Sequence, residues 1–90
     1  MDEEITDNVT AIEKLLTIMR LLRDKKHGCP WDLEQTLKSL TVYTLEEVYE
    51  VVDAIENDDM VQVEDELGDL LFQVVFYTQI ASEEGLFDFG

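Results

Sequence analysis

Four acidic residues form two pairs with the same internal spacing. Glu47 and Glu50 are three residues apart, and so are Glu66 and Asp69. Residues at this spacing share one face of an α-helix, so each pair can direct two carboxylates at one point. Carboxylate oxygens are the ligands that Mg²⁺ and Mn²⁺ prefer. The spacing therefore indicates a divalent metal site, and the alternative is a solvated acidic face, which is the commoner use of acids on helices.

The positions of these acids on their helices favour the metal site. At about 100° per residue, Val51 and Ala54 fall within about 40° of Glu47, and Leu70 falls within about 40° of Glu66. Glu47 and Glu66 are therefore expected to point toward packed surface. A buried carboxylate is costly unless it has a partner or is neutralised.

The charge distribution limits what that partner can be. The chain has 22 Asp and Glu against 6 Lys and Arg, a formal net charge of −16. All six basic residues lie between positions 14 and 38, whereas residues 39–90 contain 14 acids and no Lys or Arg. This composition argues against nucleic-acid binding and against an anionic membrane surface, because both require basic surface. Water, metal ions or the basic first half of the chain must therefore balance these acids, and a divalent cation is the expected partner of the buried ones.

The hydrophobic periodicity predicts that helices carry these acids and that the fold is all-α. Ninety residues allow a single domain, 1–90, and we expect an antiparallel helical bundle completed by oligomerisation. The first helix is predicted from Asp7 or Thr10 to Arg23, with Thr10 and Glu13 in a capping box, and a loop follows over Asp24–Gln35. A helical turn is predicted over Thr36–Leu40, and the second main helix then continues to Glu56. Asn57–Asp59 form a capping connection to a third helix over Met60–Glu84, which stops at Gly85.

Two further features bear on packing and location. Gly68 lies inside the third helix, where glycine costs about 1 kcal/mol relative to alanine. Its position predicts either the close approach of another backbone or an ordinary helix–helix contact.

The chain has one cysteine, an acidic N-terminus without an apolar signal region, and no stretch suited to crossing a bilayer, so we expect a cytoplasmic protein.

Four segments together resemble the MazG family of all-α nucleoside triphosphate pyrophosphohydrolases. The segments are CPWDLEQT (29–36), LEEVYEVVDAI (45–55), EDELGDLLFQVVF (64–76) and ASEEGLFDF (81–89). The resemblance extends from about Ile12 to Phe89. It implies Mg²⁺-dependent hydrolysis of an NTP or dNTP to a nucleoside monophosphate and pyrophosphate, with removal of unwanted nucleotides as the expected role.

The resemblance also implies roles for individual residues. Glu47, Glu50, Glu66 and Asp69 would bind Mg²⁺, with Mn²⁺ as a substitute, and Glu47 and Glu50 would also count as catalytic. Glu46 would orient the attacking water, and the alternative is a supporting or solvated acid.

Three residues are candidates for contacting the nucleotide. Trp31 would stack on the base or instead close the end of the bundle. Lys38 would contact a phosphate or instead be a solvated lysine, and Gln35 would frame the pocket. Cys29 is interpreted as structural.

Two departures from the family pattern affect the site. Leu37 stands where many members have His, and longer members continue past the FDF segment into a further helix with basic residues. We therefore expect phosphate contacts from the basic first half of the chain or from a partner subunit in a homodimer or homotetramer.

The alternative function is a catalytically inactive acidic regulatory or interaction module of the same fold. A protein that only binds metal would leave the CPWD segment unexplained.

Overall fold

The computed structural model describes residues 2–90, with side chains from Ala11 onward. Its helices are α1 (Asp2–Leu22), α2 (Pro30–Glu34), α3 (Leu37–Glu56) and α4 (Met60–Glu83). No strand occurs among residues 2–90, so the all-α prediction is confirmed. The chain comprises two compact units, one ending at Glu34 and the other formed by Gln35–Gly90. A single domain over 1–90 stays a prediction.

The first helix begins earlier than the periodicity predicted. α1 already starts at Asp2, so Thr10 lies inside the helix and is not its N-cap. The side chain of Thr10 lies outside the described part of the chain. The acidic segment at residues 2–4 suits a helix N-terminus, because the macrodipole favours negative charge there, and an apolar pattern does not register this signal.

A tight turn follows α1. The Asp24 carboxylate accepts hydrogen bonds from the backbone N–H groups of Lys26 at 2.8 Å and His27 at 3.1 Å, and these bonds lower the pKa of Asp24. A Cβ atom on Gly28 would collide with the carbonyl oxygens of Leu22 and Asp24, so only glycine fits there. The turn therefore depends on Gly28.

The predicted loop over Asp24–Gln35 is wrong for its second half, which contains α2. Pro30 occupies the first position of this short helix, where its missing N–H and fixed φ are well tolerated. The Arg23 side chain donates a hydrogen bond to the backbone carbonyl of Asp32 at 2.5 Å.

The second unit is built on α3 and α4. Thr36 caps α3 in a reciprocal capping box with Ser39, so the predicted turn over 36–40 is the first turn of one continuous helix. Asp59 caps α4 by accepting from the Gln62 N–H at 3.1 Å, as predicted. At the other end Gly85 adopts a φ of 74° and closes a Schellman motif, which confirms the predicted stop.

The two long helices run antiparallel after a three-residue connection. The Oγ1 atom of Thr44 and the hydroxyl of Tyr77 are 2.5 Å apart, and Gln73 donates from Nε2 to the backbone carbonyl of Tyr43 at 3.2 Å. Apolar side chains of both helices are buried, and each contributes about 1.5–3 kcal/mol when fully buried; the larger ones are Leu40, Val51, Val75, Phe76 and Ile80. This packing aligns the two acidic segments.

Gly68 does not have the predicted role. Apart from its chain neighbours and the adjacent backbone of α4, no atom of the described residues lies within 4 Å of the place where a Cβ would stand. Neither a close backbone nor a helix–helix contact therefore explains the glycine, because it lies about 200° round α4 from Glu66, on the outer surface.

None of the described helices is both long and apolar enough to cross a membrane.

Candidate metal centre

Three carboxylates converge between α3 and α4. Glu47 is only 8% exposed and Glu66 only 6%, although both are acids. Asp69 lies one turn after Glu66 and is exposed. One carboxylate oxygen from each of the three lies within 4.8 Å of the others. The helix-face argument predicted this inward direction for Glu47 and Glu66.

Two oxygens of these carboxylates are buried without a hydrogen bond. Glu47 Oε1 and Glu66 Oε2 meet no donor among the described residues. The other oxygen of Glu66 accepts a short hydrogen bond from Gln62 Nε2. Carboxylate oxygens only accept, so the two unsatisfied ones require a proton, a donor or a cation.

The close approach of these carboxylates shifts the pKa values of Glu47 and Glu66 in opposite directions. Burial raises the pKa of Glu47 to about 8, and hydrogen bonding to Glu66 and the negative charges of Glu66, Glu50 and Asp69 contribute to the increase. The pKa of Glu66 is lowered, because Glu47, Glu50 and Gln62 hydrogen-bond to its charged form. Burial and the neighbouring carboxylates therefore favour the protonated form of Glu47 over its charged form.

The remaining predicted acids lie at the edge of this cluster. Glu50 is exposed, and its hydrogen bond with Glu66 and the charge of Glu66 raise its pKa. It interacts with the cluster, but it does not belong to the group of three converging oxygens. Glu46 is exposed and lies about 100° round α3 from Glu47. The metal and catalytic roles of Glu50 and Glu46 stay predictions.

The predicted nucleotide-binding residues are Lys38, Gln35 and Trp31, and each is described within its own unit. Lys38 is exposed in the first turn of α3, nine residues before Glu47 and thus about 13 Å away along the helix axis. Gln35 accepts from the Ser39 hydroxyl at 2.7 Å through its Oε1 atom. Trp31 lies on α2, in the other unit, and is 47% exposed. Their substrate-binding roles stay predictions.

Two glutamines near the carboxylates were given no role from the sequence. Gln62 lies four residues before Glu66, and that spacing is the signal that would have identified it as a partner. Gln73 lies four residues after Asp69 on the same face, and its Oε1 atom is buried and meets no donor in the described part of the chain.

A hard divalent cation fits this arrangement. The converging groups are all oxygen donors, their combined negative charge is unbalanced, and two of their atoms are buried without a partner. Mg²⁺ and Mn²⁺ prefer such oxygen ligands, whereas zinc sites more often use Cys and His. Glu47, Glu66 and Asp69 are the residues that would hold the ion.

Comparison with known proteins agrees with this chemistry. The MazG nucleotide pyrophosphohydrolase domain matches residues 35–90. A nucleoside triphosphate pyrophosphohydrolase of Escherichia coli is 63% identical over 82 residues, which cover 91% of this chain and 31% of that protein. The nucleoside triphosphate pyrophosphohydrolase/pyrophosphatase MazG of Thermotoga maritima is 52% identical over 77 residues, covering 83% and 29%. A nucleoside triphosphate pyrophosphohydrolase of Mycobacterium tuberculosis is 41% identical over 81 residues, covering 90% and 22%. The chain thus spans a third or less of each of these relatives.

Proposed function

The chain belongs to the MazG nucleotide pyrophosphohydrolase family, and on this premise we propose that it hydrolyses nucleoside triphosphates with the help of Mg²⁺. The matched region, residues 35–90, contains all four predicted ligands. The observation that carries the proposal is the pair of buried, unsatisfied oxygens on Glu47 and Glu66, because a cation is the partner that leaves both groups charged.

The proposed reaction breaks the bond between the α and β phosphates. Water supplies the hydroxyl that ends on one phosphorus, and the products are a nucleoside monophosphate and pyrophosphate. Glu47, Glu66 and Asp69 would hold Mg²⁺, which would supply positive charge to offset the negative charge that develops on the phosphates. The biological role proposed for this reaction is the removal of unwanted nucleotides. A cytoplasmic location stays a prediction.

The chain's own side chains have separate tasks in this reaction. Glu47, Glu66 and Asp69 hold the cation, and Glu50 completes its acidic surroundings from the solvent side. Glu46 accepts a hydrogen bond from the attacking water and orients it.

The nucleotide itself is held by other residues. Lys38 and Gln35 lie near the start of α3, where Lys38 contacts a phosphate and Gln35 frames the pocket. Trp31 offers an aromatic face for the base. Further basic groups for the phosphates come from the first half of the chain or from a second subunit, since residues 39–90 contain no Lys or Arg.

A second copy of this chain is the proposed partner. One apolar stripe runs along the hairpin and consists of residues that are 42–62% exposed: Leu45, Val48, Val52 and Ile55 on α3, and Leu67, Leu71 and Val74 on α4. Measured from Glu47 and from Glu66, these residues lie between about 80° and 160° round their helices. They share one side of the hairpin, because the helices are antiparallel and those two glutamates face each other.

The composition of the stripe favours a copy of the same hairpin as its occupant. Between Leu45 and Ile55, and between Leu67 and Val74, this arc contains no charged residue, although the chain carries a net charge of −16. A contiguous apolar stripe of this kind typically marks an interface. Two such hairpins related by a two-fold axis would bury both stripes in a four-helix bundle, as the core of a homodimer or of a homotetramer.

Pyrophosphate release from a panel of NTPs and dNTPs, with and without Mg²⁺, tests the proposed function. We expect release of pyrophosphate, and not of single phosphate, from at least one nucleotide, and we expect EDTA to abolish it. Absence of turnover with every nucleotide would contradict the proposal and favour the inactive regulatory module.

A further inference from the structure

Gln73 contains the third buried and unsatisfied acceptor between α3 and α4. Its Nε2 atom donates to the backbone carbonyl of Tyr43 at 3.2 Å, and its Oε1 atom is buried without a donor among the described residues. The Tyr43 carbonyl can only accept, so the amide cannot be reversed without losing this bond. The orientation of Oε1 is therefore determined by the opposite helix.

The position of Gln73 in the sequence puts it on the helix face that carries Asp69. Gln73 follows Asp69 by four residues, a spacing at which Cβ atoms on one helix face are about 5–6 Å apart. On the opposite helix its partner Tyr43 precedes Glu47 by the same interval. The unsatisfied oxygens of Glu47, Glu66 and Gln73 therefore follow one another along the same helix–helix contact.

The nearest hydroxyl groups are not available to Gln73. Thr44 donates from Oγ1 to the Leu40 carbonyl at 3.1 Å, so in its contact with Tyr77 it must accept. The Tyr77 hydroxyl therefore donates its hydrogen bond to Thr44 Oγ1. Neither hydroxyl has a proton left for Gln73, and water is the remaining donor of suitable size.

We propose that Gln73 Oε1 accepts a hydrogen bond from a water molecule in the hydration shell of the cation held by Glu47, Glu66 and Asp69. The inference rests on the metal site proposed above and adds a positioning residue to it. Magnesium usually keeps several of its water ligands when a protein binds it. A fixed acceptor beside the ion would hold one of these waters in place, and such supporting contacts typically contribute about tenfold or more to metal affinity.

The test uses Gln73→Met, which keeps the length of the side chain and removes the amide. Mn²⁺ is the probe, with its dissociation constant measured from the electron paramagnetic resonance of the free ion, and its bound waters counted by water-proton relaxation. We expect the dissociation constant for Mn²⁺ to rise about tenfold, while the number of water molecules bound to the ion stays the same. The metal-free variant should unfold at the same or a higher temperature than the parent, because removing a buried unsatisfied oxygen offsets the loss of the exposed hydrogen bond to the Tyr43 carbonyl.

Tyr77→Phe is the matched control, because it breaks another α3–α4 hydrogen bond on the far side of Gln73 from the acids. It should lower the unfolding temperature and leave the Mn²⁺ affinity unchanged. An unchanged Mn²⁺ affinity in Gln73→Met, or equal losses of affinity in the two variants, would overturn the inference and leave Gln73 as a structural crosslink. One additional bound water in Gln73→Met would overturn it too, since Oε1 would then be a direct ligand.

The parent protein separates the two proposals. Mn²⁺ binding by the parent with no response to Gln73→Met would contradict only the role of Gln73. Absence of Mn²⁺ binding by the parent would contradict the metal site and, with it, this inference.

Discussion

Glu47 on α3 and Glu66 on α4 direct buried carboxylate oxygens into the same helix–helix contact, and neither oxygen has a hydrogen-bond donor among the described residues. Apolar residues at these two positions would stabilise the hairpin better than two acids that repel each other. The arrangement is therefore costly for the metal-free protein and becomes favourable when a cation occupies it.

The metal-free protein should lose stability as the pH rises from about 5 to about 8. The folded-state pKa of Glu47 is raised to about 8 from its ordinary value of 4.5, so over this interval the folded chain binds more protons than the unfolded chain. The free energy of unfolding then falls with pH, by at most about 1.4 kcal/mol per pH unit for one proton. Urea denaturation in EDTA at several pH values measures this slope.

Glu47→Gln should flatten that dependence and raise the stability at pH 8. The matched control is Glu56→Gln, which removes the same charge from an exposed position near the end of α3. A slope that persists in Glu47→Gln would show that another group carries the proton. The lowered pKa of Glu66 acts in the opposite sense and only at more acidic pH, because its contribution is lost as the pH falls through its folded-state pKa.

Glu50→Gln should reduce turnover by about 100-fold or more while the helices stay folded. The glutamine keeps the size of the side chain but removes a negative charge that interacts with Glu66. Pyrophosphate release measures turnover, and circular dichroism measures helicity. Glu56→Gln again serves as the control and should retain activity, whereas retained activity in Glu50→Gln would mean that the assigned role is wrong.

The inward position of the key acids was predictable from the sequence, because it follows from helical periodicity alone. Glu47 fell within an apolar arc of its helix, and the chain has no Lys or Arg after residue 38, so Lys38 is the one basic residue on either helix and lies nine residues before Glu47. The caps at Asp59 and Gly85 were also predictable, since both use residue types with strong positional preferences.

Other features depend on contacts that periodicity does not contain. The role of Gln73 required knowing that Tyr43 offers a backbone carbonyl 30 residues earlier in the chain. The helix at Pro30–Glu34 was hidden by the Gly and Pro residues that normally indicate a loop. Gly68 was misinterpreted because an unfavourable residue was assumed to have a packing reason.

Gly68→Ala should stabilise the protein by up to about 1 kcal/mol, because the new methyl group meets no described atom within 4 Å and alanine favours the helix. Gly28→Ala should destabilise it by about 1 kcal/mol or more, because the same methyl group would collide with two backbone carbonyls. Chemical denaturation measures both, and each variant serves as the control for the other. A destabilised Gly68→Ala would mean that another molecule packs against that surface.

Val48→Glu should weaken self-association by about tenfold or more, equivalent to about 1.4 kcal/mol, because it places a charge in the middle of the apolar stripe. Sedimentation velocity over a range of concentrations gives the dissociation constant. Val61→Glu is the matched control: Val61 is 75% exposed and lies about 220° round α4 from Glu66, away from the stripe, so the same change should leave the association intact. Equal effects of the two substitutions would point to general charge repulsion, and a parent protein that stays monomeric would contradict the proposed interface. Dissociation in Val48→Glu alone, with unchanged circular dichroism, is the result expected if the stripe holds two hairpins together.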